Sequence, residues 1–265
     1  MAGGFLTRNA TAPTALPTAL PPARDDVPLV AVAHGTAHLP GLRTLDTLVE
    51  RLRFLRPGLE VSLGFVSAAA PHPRQVLAEL AGRGVPEAVV LPVFLGSGYH
   101  VGHDIPEAVR TAGAMRVRTA RPLGPDPVLA QVLAERLSAV AGRVFGTQVV
   151  LVAAGSKNRH ANSDAFVMAG MLSERLGMQV RTAFLTAAEP SAATVLTRLA
   201  RRGRPVAVAS YLVAEGGYTQ RLSDIAALAG LEPEAARTPR VAGPLGAHEL
   251  IARLILRRYD EALFR

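Results

Sequence analysis

The chain contains no cysteine and no tryptophan. Without cysteine there can be no disulfide framework and no thiolate metal site, so a bound metal would be held by imidazole or carboxylate. Aromatic residues make up only 5% of the chain and are not interleaved with its basic residues, so the stacking platforms of a nucleic-acid binder are missing. Lysine is nearly absent as well. Lys157 is the one lysine, and the +8 formal charge is carried by dispersed arginines. That pattern reads as compositional bias, and no nucleic-acid partner is expected; the net field instead suits an anionic small ligand. No stretch approaches the roughly 20 uninterrupted apolar residues of a membrane span, so no membrane association is expected. There is no GxxxxGK[ST] phosphate loop, no GxGxxG between strand and helix, and no GxSxG elbow.

What the chain does have is enough hydrophobic residue, 49% of 265 positions, for one large domain or two of about 120 residues. Residues 1–27 are rich in Ala, Thr and Pro and lack a cationic start followed by a long apolar run. They read as a flexible leader rather than a signal peptide, and a cytoplasmic location is expected.

Beyond the leader, apolar periodicity alternates between strand and helix. PLVAVAHG (28–35) is a short continuous apolar run ending in glycine, as a buried parallel strand requires. Leu42, Leu45, Leu48, Val49, Leu52 and Leu55 form a helical stripe that stops at Arg56-Pro57-Gly58. VSLGF (61–65) alternates with period two, QVLAELAGRG (75–84) reads as helix, EAVVLPVFL (87–95) as buried strand, and VLAQVLAERLSAV (128–140) as amphipathic helix. This is the βαβ grammar of a parallel sheet covered by helices.

The series then restarts. AHGT (33–36) is echoed by AAGS (153–156), GFVSAAAP (64–71) by AFLTAAEP (183–190), LPVFLGSGYH (91–100) by ASYLVAEGGYT (209–219), and RPLGPDP (121–127) by GPLGAHE (243–249). The fold class expected is therefore α/β, with two similar parallel-sheet domains, 28–146 and 147–265, facing a central cleft.

Ligands of open parallel sheets bind beyond the carboxyl ends of the strands. His34 ends the first strand, and His100 follows the strand at 87–95 in the turn LGSGYHVGHDIP (95–106). A single loop histidine is ordinarily solvated, but two at one sheet edge can converge on a divalent first-row metal ion. The repeat sharpens the contrast, because His34 corresponds to Ala154 and His100 to Thr219. The second copy keeps the scaffold and loses both imidazoles. Asp104 and Glu107 have the spacing of a helix capping box. His103 faces solvent or an anionic ligand, His72 caps a turn, and Tyr99 and Tyr218 pack at the cleft wall. Ser156 has no evident base beside it.

VAHGT, GYHVGHDIP and the duplicated layout together resemble the sirohydrochlorin chelatases, the ATP-independent class II chelatases, over residues 28–265. The resemblance implies insertion of Fe2+, Co2+ or Ni2+ into an anionic tetrapyrrole on the way to sirohaem, cobalamin or coenzyme F430, with the metal as substrate and no nucleotide. It places metal-binding and catalytic roles on His34 and His100; Tyr99, His103, Ser67 and Tyr218 are read beside it as the expected substrate contacts. Ser67 stands where the family often has a glutamate. A single duplicated chain can form the cleft by itself, so a monomer is expected. The reading of a different class is a non-catalytic tetrapyrrole or metal carrier derived from a chelatase.

Overall fold

The apolar runs of the sequence form eight strands and nine helices in a computed structural model that describes residues 25–142, 146–232, 235 and 238–264. The first half contains β1 (Leu29–Ala33), α1 (Leu39–Leu55), β2 (Val61–Phe65), α2 (Pro73–Gly82), β3 (Glu87–Pro92), α3 (Tyr99–Gly102), α4 (Asp104–Arg110), β4 (Arg116–Thr119) and α5 (Pro127–Ala141). The second contains β5 (Gln148–Ala153), α6 (Arg159–Leu176), β6 (Val180–Phe184), α7 (Ala192–Ala200), β7 (Val206–Tyr211), α8 (Gly217–Gly230), β8 (Arg240–Val241) and α9 (Glu249–Leu263). None of the helices is long and apolar enough to cross a membrane among the described residues.

Each half builds one parallel four-stranded sheet, ordered β2-β1-β3-β4 and β6-β5-β7-β8. Leu29 lies between Val61 and Val89, and Val149 between Val180 and Ala207, so the central strand is flanked the same way in both sheets. The chain reverses direction of travel between β1 and β3, and again between β5 and β7. These are the topological switch points where a crevice opens.

Period two decides which side chain joins which core. Leu29, Ala31 and Ala33 point into a central cluster, whereas Val30 and Val32 pack outward with Val76, Leu77 and Leu80 of α2. In β5, Val149, Leu151 and Ala153 face the same central cluster, and Val150 and Val152 pack on Val195, Leu196 and Leu199 of α7. One continuous core thus joins the two sheets through their inner faces.

The helices that fill this core are exchanged. α5 closes the first half in sequence, yet it packs on α6, β7 and β8; α9 closes the second half and packs on α1, β3 and β4. Polar contacts reinforce the exchange. Arg56 at the end of α1 donates to both oxygens of Asp260 at 2.6 and 2.8 Å, and the Tyr259 hydroxyl donates to the Val27 carbonyl at 2.6 Å. Val27 is 2% exposed, so the packed fold already includes Asp25–Val27, residues read from sequence as leader. Residues 1–24 of that leader lie outside the described residues.

Several helices begin one to three residues earlier than apolar periodicity indicates, because proline occupies the first turn. Pro73 follows His72, whose side chain accepts from Arg74 N at 3.3 Å and whose N–H donates to Gln75, a complete capping box. Pro127 follows Asp126, which accepts from Val128 N at 2.9 Å. The proline supplies no N–H where none is needed. Apolar periodicity cannot register that.

Candidate functional site

His34 leaves β1 through a turn fixed by Gly35, whose φ of +87° favours glycine. A Cβ there would also lie 2.0 Å from the Ser67 carbonyl oxygen, so the chain after β1 and the chain after β2 approach backbone to backbone. His100 leaves β3 through the loop 95–98 and sits in the short α3. The switch point between β1 and β3 brings the two rings together edge to face, with centroids 4.9 Å apart.

Each ring has its Nδ1 tied down. His34 Nδ1 lies 3.0 Å from the Gly35 carbonyl oxygen, and His100 Nδ1 is hydrogen-bonded to Asp104 Oδ2. A carbonyl and a carboxylate can only accept, so both Nδ1 atoms carry a proton, and in the neutral rings each Nε2 then keeps a lone pair. This is the tautomer that a metal-ligating imidazole needs, held by a carboxylate partner in the case of His100. Phe94 stacks on the outer face of His100 at 5.9 Å, which restrains its tilt.

Asp104 therefore does other work than the capping box assigned to it from sequence. The residue preceding α4 is His103, which makes no side-chain cap bond, and Asp104 turns its oxygens to His100 and to His103, the latter at 3.3 Å. Burial pushes its carboxyl pKa up, but hydrogen bonds from His100 and His103 outweigh this and hold it below the usual carboxylate range. Glu107 is drawn instead to Arg74 of α2. The capping spacing is real, but imidazole donors compete for the same carboxylate.

Both imidazoles open onto a cleft of about 760 Å³ between the halves, within the size range of small-molecule sites. One wall is Val93, Phe94 and Leu95; the other is their repeat counterpart, Tyr211, Leu212 and Val213. Tyr99 and Tyr218 both line it and stay 59% and 44% exposed, which leaves their rings available at its rim. Arg221 is the one arginine and Glu215 the one carboxylate among the lining residues. Ser67 and His103 lie outside the lining; Ser67 N–H donates to the His34 carbonyl at 2.9 Å, and His103 stacks on Tyr99 with centroids 4.9 Å apart. Ala154 and Ser156 line the opposite side, where the second half has no imidazole. Sequence reasoning missed Asp104 as a histidine partner, although the i,i+4 spacing from His100 was the available signal.

A family model described as CbiX matches this chain twice, at residues 28–140 and 148–262. A sirohydrochlorin cobaltochelatase of Methanococcoides burtonii is 25% identical over 124 residues, covering 42% of this chain and 95% of the relative. A sirohydrochlorin ferrochelatase of Bacillus subtilis is 29% identical over 122 residues, covering 44% of this chain and 47% of the relative. Among solved structures, SirB from Bacillus subtilis with Fe3+ superposes with a TM-score of 0.77 at 21% identity, over 89% of this chain and 94% of that one. The cobalt complex of the sirohydrochlorin chelatase SirB from Bacillus subtilis subspecies spizizenii superposes at 0.74 and 18% identity over the same shares. These likenesses establish a shared two-lobed α/β fold.

Proposed function

Because this chain belongs to the CbiX family, we propose that it inserts a divalent first-row metal ion into a sirohydrochlorin-type tetrapyrrole without help from a nucleotide. The observation that carries this is the pair of edge-to-face imidazoles, both with Nδ1 engaged, at the mouth of a cleft walled by repeated apolar segments.

The chemistry follows from what insertion demands. The ion must lose water, the macrocycle must bend until its nitrogens are reachable, and two pyrrole protons must leave. His34 and His100 supply two Nε2 donors and leave the remaining coordination positions open, which suits an ion that is handed over rather than retained. An imidazole relieved of the ion regains its Nε2 lone pair and can take up a departing proton. Asp104 keeps His100 aimed and stabilises the imidazolium that results. The two apolar walls hold the flat ring system, and Arg221 pairs with a peripheral carboxylate.

The test is the absorption spectrum of anaerobic sirohydrochlorin mixed with Co2+, with wild type and with the His34→Ala/His100→Ala double variant. Acceleration over the spontaneous rate by wild type, lost in the double variant, is the expected result. Binding of the tetrapyrrole with no acceleration would make the protein a carrier instead. The departure at Ser67, which leaves no carboxylate on that loop, would then be the first cause to examine.

A further inference from the structure

The second half lacks both imidazoles, yet it holds the loop that carries one of them. Residues 93–98 connect β3 to α3, and their backbone is bonded by three side chains from the other half of the chain. The Tyr211 hydroxyl donates to the Leu95 carbonyl at 2.8 Å, Ser97 N–H donates to Asp164 Oδ2 at 2.8 Å, and Asn158 Nδ2 donates to the Ser97 carbonyl at 3.1 Å. Asn158 does this while its Oδ1 accepts from His160 N as the N-cap of α6, so the start of α6 and the loop are fixed by one amide. Glycine permits the approach. A Cβ on Gly96 would lie 3.0 Å from Asp164 Oδ2, and one on Gly124 would lie 2.2 Å from the Tyr211 hydroxyl.

The first half packs against the equivalent place, with Gly41 close to the Glu215 carbonyl and Thr36 beside Gly216, but among the described residues the hydrogen bonds are not returned. The counterpart loop of the second half, residues 213–216, takes its hydrogen bonds from within its own half, from Gly246 N at 2.8 Å and from Thr219 Oγ1. Among the described residues no side chain of the first half bonds to it. At the repeat offset that relates AHGT to AAGS, Asn158 corresponds to His38, which makes no cap bond, and Asp164 to Thr44, which bonds within its own helix. Tyr211 corresponds to Val93, whose side chain has no donor. The asymmetry in hydrogen bonding matches the asymmetry in histidines.

We infer that Tyr211, Asp164 and Asn158 are positioning residues for His100, and that the second half serves as a one-sided buttress for the loop that aims it. The inference rests on the chelatase reading for its consequence in turnover. Its consequence for metal binding stands apart from that reading, because fixing the loop fixes where His100 Nε2 meets an ion. Partners bonded directly to a ligating imidazole typically govern metal affinity by about 10–100-fold, and residues that act through the loop backbone should lie at the low end.

The experiment titrates Co2+ alone into the full chain, reading the visible absorption band, and separately measures kcat and KM for Co2+ insertion. The variants are Asp164→Ala, Tyr211→Phe, their combination, and Asp164→Asn, whose amide oxygen can still accept from Ser97 N–H. Ser191→Ala serves as the control, since Ser191 caps α7 by accepting from Thr194 N far from the loop. The combined variant should bind Co2+ about tenfold more weakly, with a changed band shape, and Asp164→Ala should lower kcat at near-constant KM for the tetrapyrrole. Asp164→Asn should recover most of the loss. Ser191→Ala should lower only the unfolding midpoint. Variants that bind Co2+ with wild-type affinity and band shape while merely unfolding earlier would overturn the inference, even if the wild type inserts metal. A wild type that inserts nothing, but whose Co2+ binding depends on Asp164 and Tyr211 as described, would sustain the inference and remove the chelatase reading.

Discussion

The imidazoles of His34 and His100 stand edge to face at 4.9 Å, and each has turned its Nδ1 away from the other, toward Gly35 O and toward Asp104. In the proposed reading the two rings are oriented for an ion before it arrives. The carboxylate on His100 makes the pair unequal, since only that ring has a charged partner at Nδ1.

Replacing Asp104 with asparagine keeps an acceptor but removes the charge. Asp104→Asn should weaken Co2+ binding by roughly 10–100-fold while leaving the unfolding midpoint close to wild type, as followed by Co2+ titration and thermal melting. Wild-type affinity in this variant would show that the carboxylate does not tune His100.

Gly35 and Gly155 are equivalent in the repeat, with φ of +87° and +85° and with room for no Cβ because Ser67 O and Thr186 O would lie at 2.0 and 1.9 Å. Alanine at either position should destabilise the fold by at least about 1–3 kcal/mol, measurable by urea denaturation. Only Gly35→Ala should also lower Co2+ affinity of the folded protein, since it alone displaces a metal-site histidine. Equal effects of the two variants on Co2+ would contradict a site confined to the first half.

Arg221→Gln should raise KM for the tetrapyrrole by roughly 10–100-fold, the equivalent of a charge-assisted hydrogen bond of about 1.5–3 kcal/mol. Co2+ binding in the absence of tetrapyrrole should not change. Steady-state kinetics at saturating Co2+ separate the two quantities, and an unchanged KM would remove Arg221 from the substrate contacts.

Asp260 is almost fully buried and takes both hydrogen bonds of Arg56. Asp260→Ala leaves a mostly buried guanidinium with only its longer ion pair to Asp25 at 3.6 Å, and should cost up to about 3 kcal/mol. Since α9 is packed on the first sheet, calorimetry should show one transition moved to lower temperature. Two separated transitions would mean that the halves unfold independently in spite of the exchanged helices.

Glu261 gives a pH dependence of known sign. Burial pushes its pKa up, but Arg121 and Arg258 outweigh this and hold it below the ordinary glutamate value. The unfolded chain therefore takes up this proton first as pH falls, and the stabilisation present at neutral pH is lost between the ordinary value, about 4.3, and the lower native one. Glu261→Gln should lower the neutral-pH melting temperature and flatten its decline across that acid window. An unchanged acid profile would count against the assigned shift.

The residues that gave the reading its direction were readable because their signals are local. His34 follows a strand that is apolar at every position, and the doubled series AHGT/AAGS needs no structure to be seen. Strand order, by contrast, was not written in the apolar runs, and α3, α4 and β4 are too short or too mixed to leave a periodic trace. Asp104 was misread because a capping box and a histidine partner use the same residues at nearly the same spacing. Only the ring geometry distinguishes them.

The sequence by itself determined the α/β class, the internal duplication and the one-sided placement of the histidines, because alternation of apolar residues and repetition of motifs are properties of the chain read along its length. Tertiary structure alone decided that α5 and α9 change places, that the two inner sheet faces share one core, and that Tyr211, Asp164 and Asn158 reach across to the His100 loop. Those contacts join residues far apart in the chain. Their energetics depend on close approach and burial, which exist only once the two halves have packed together.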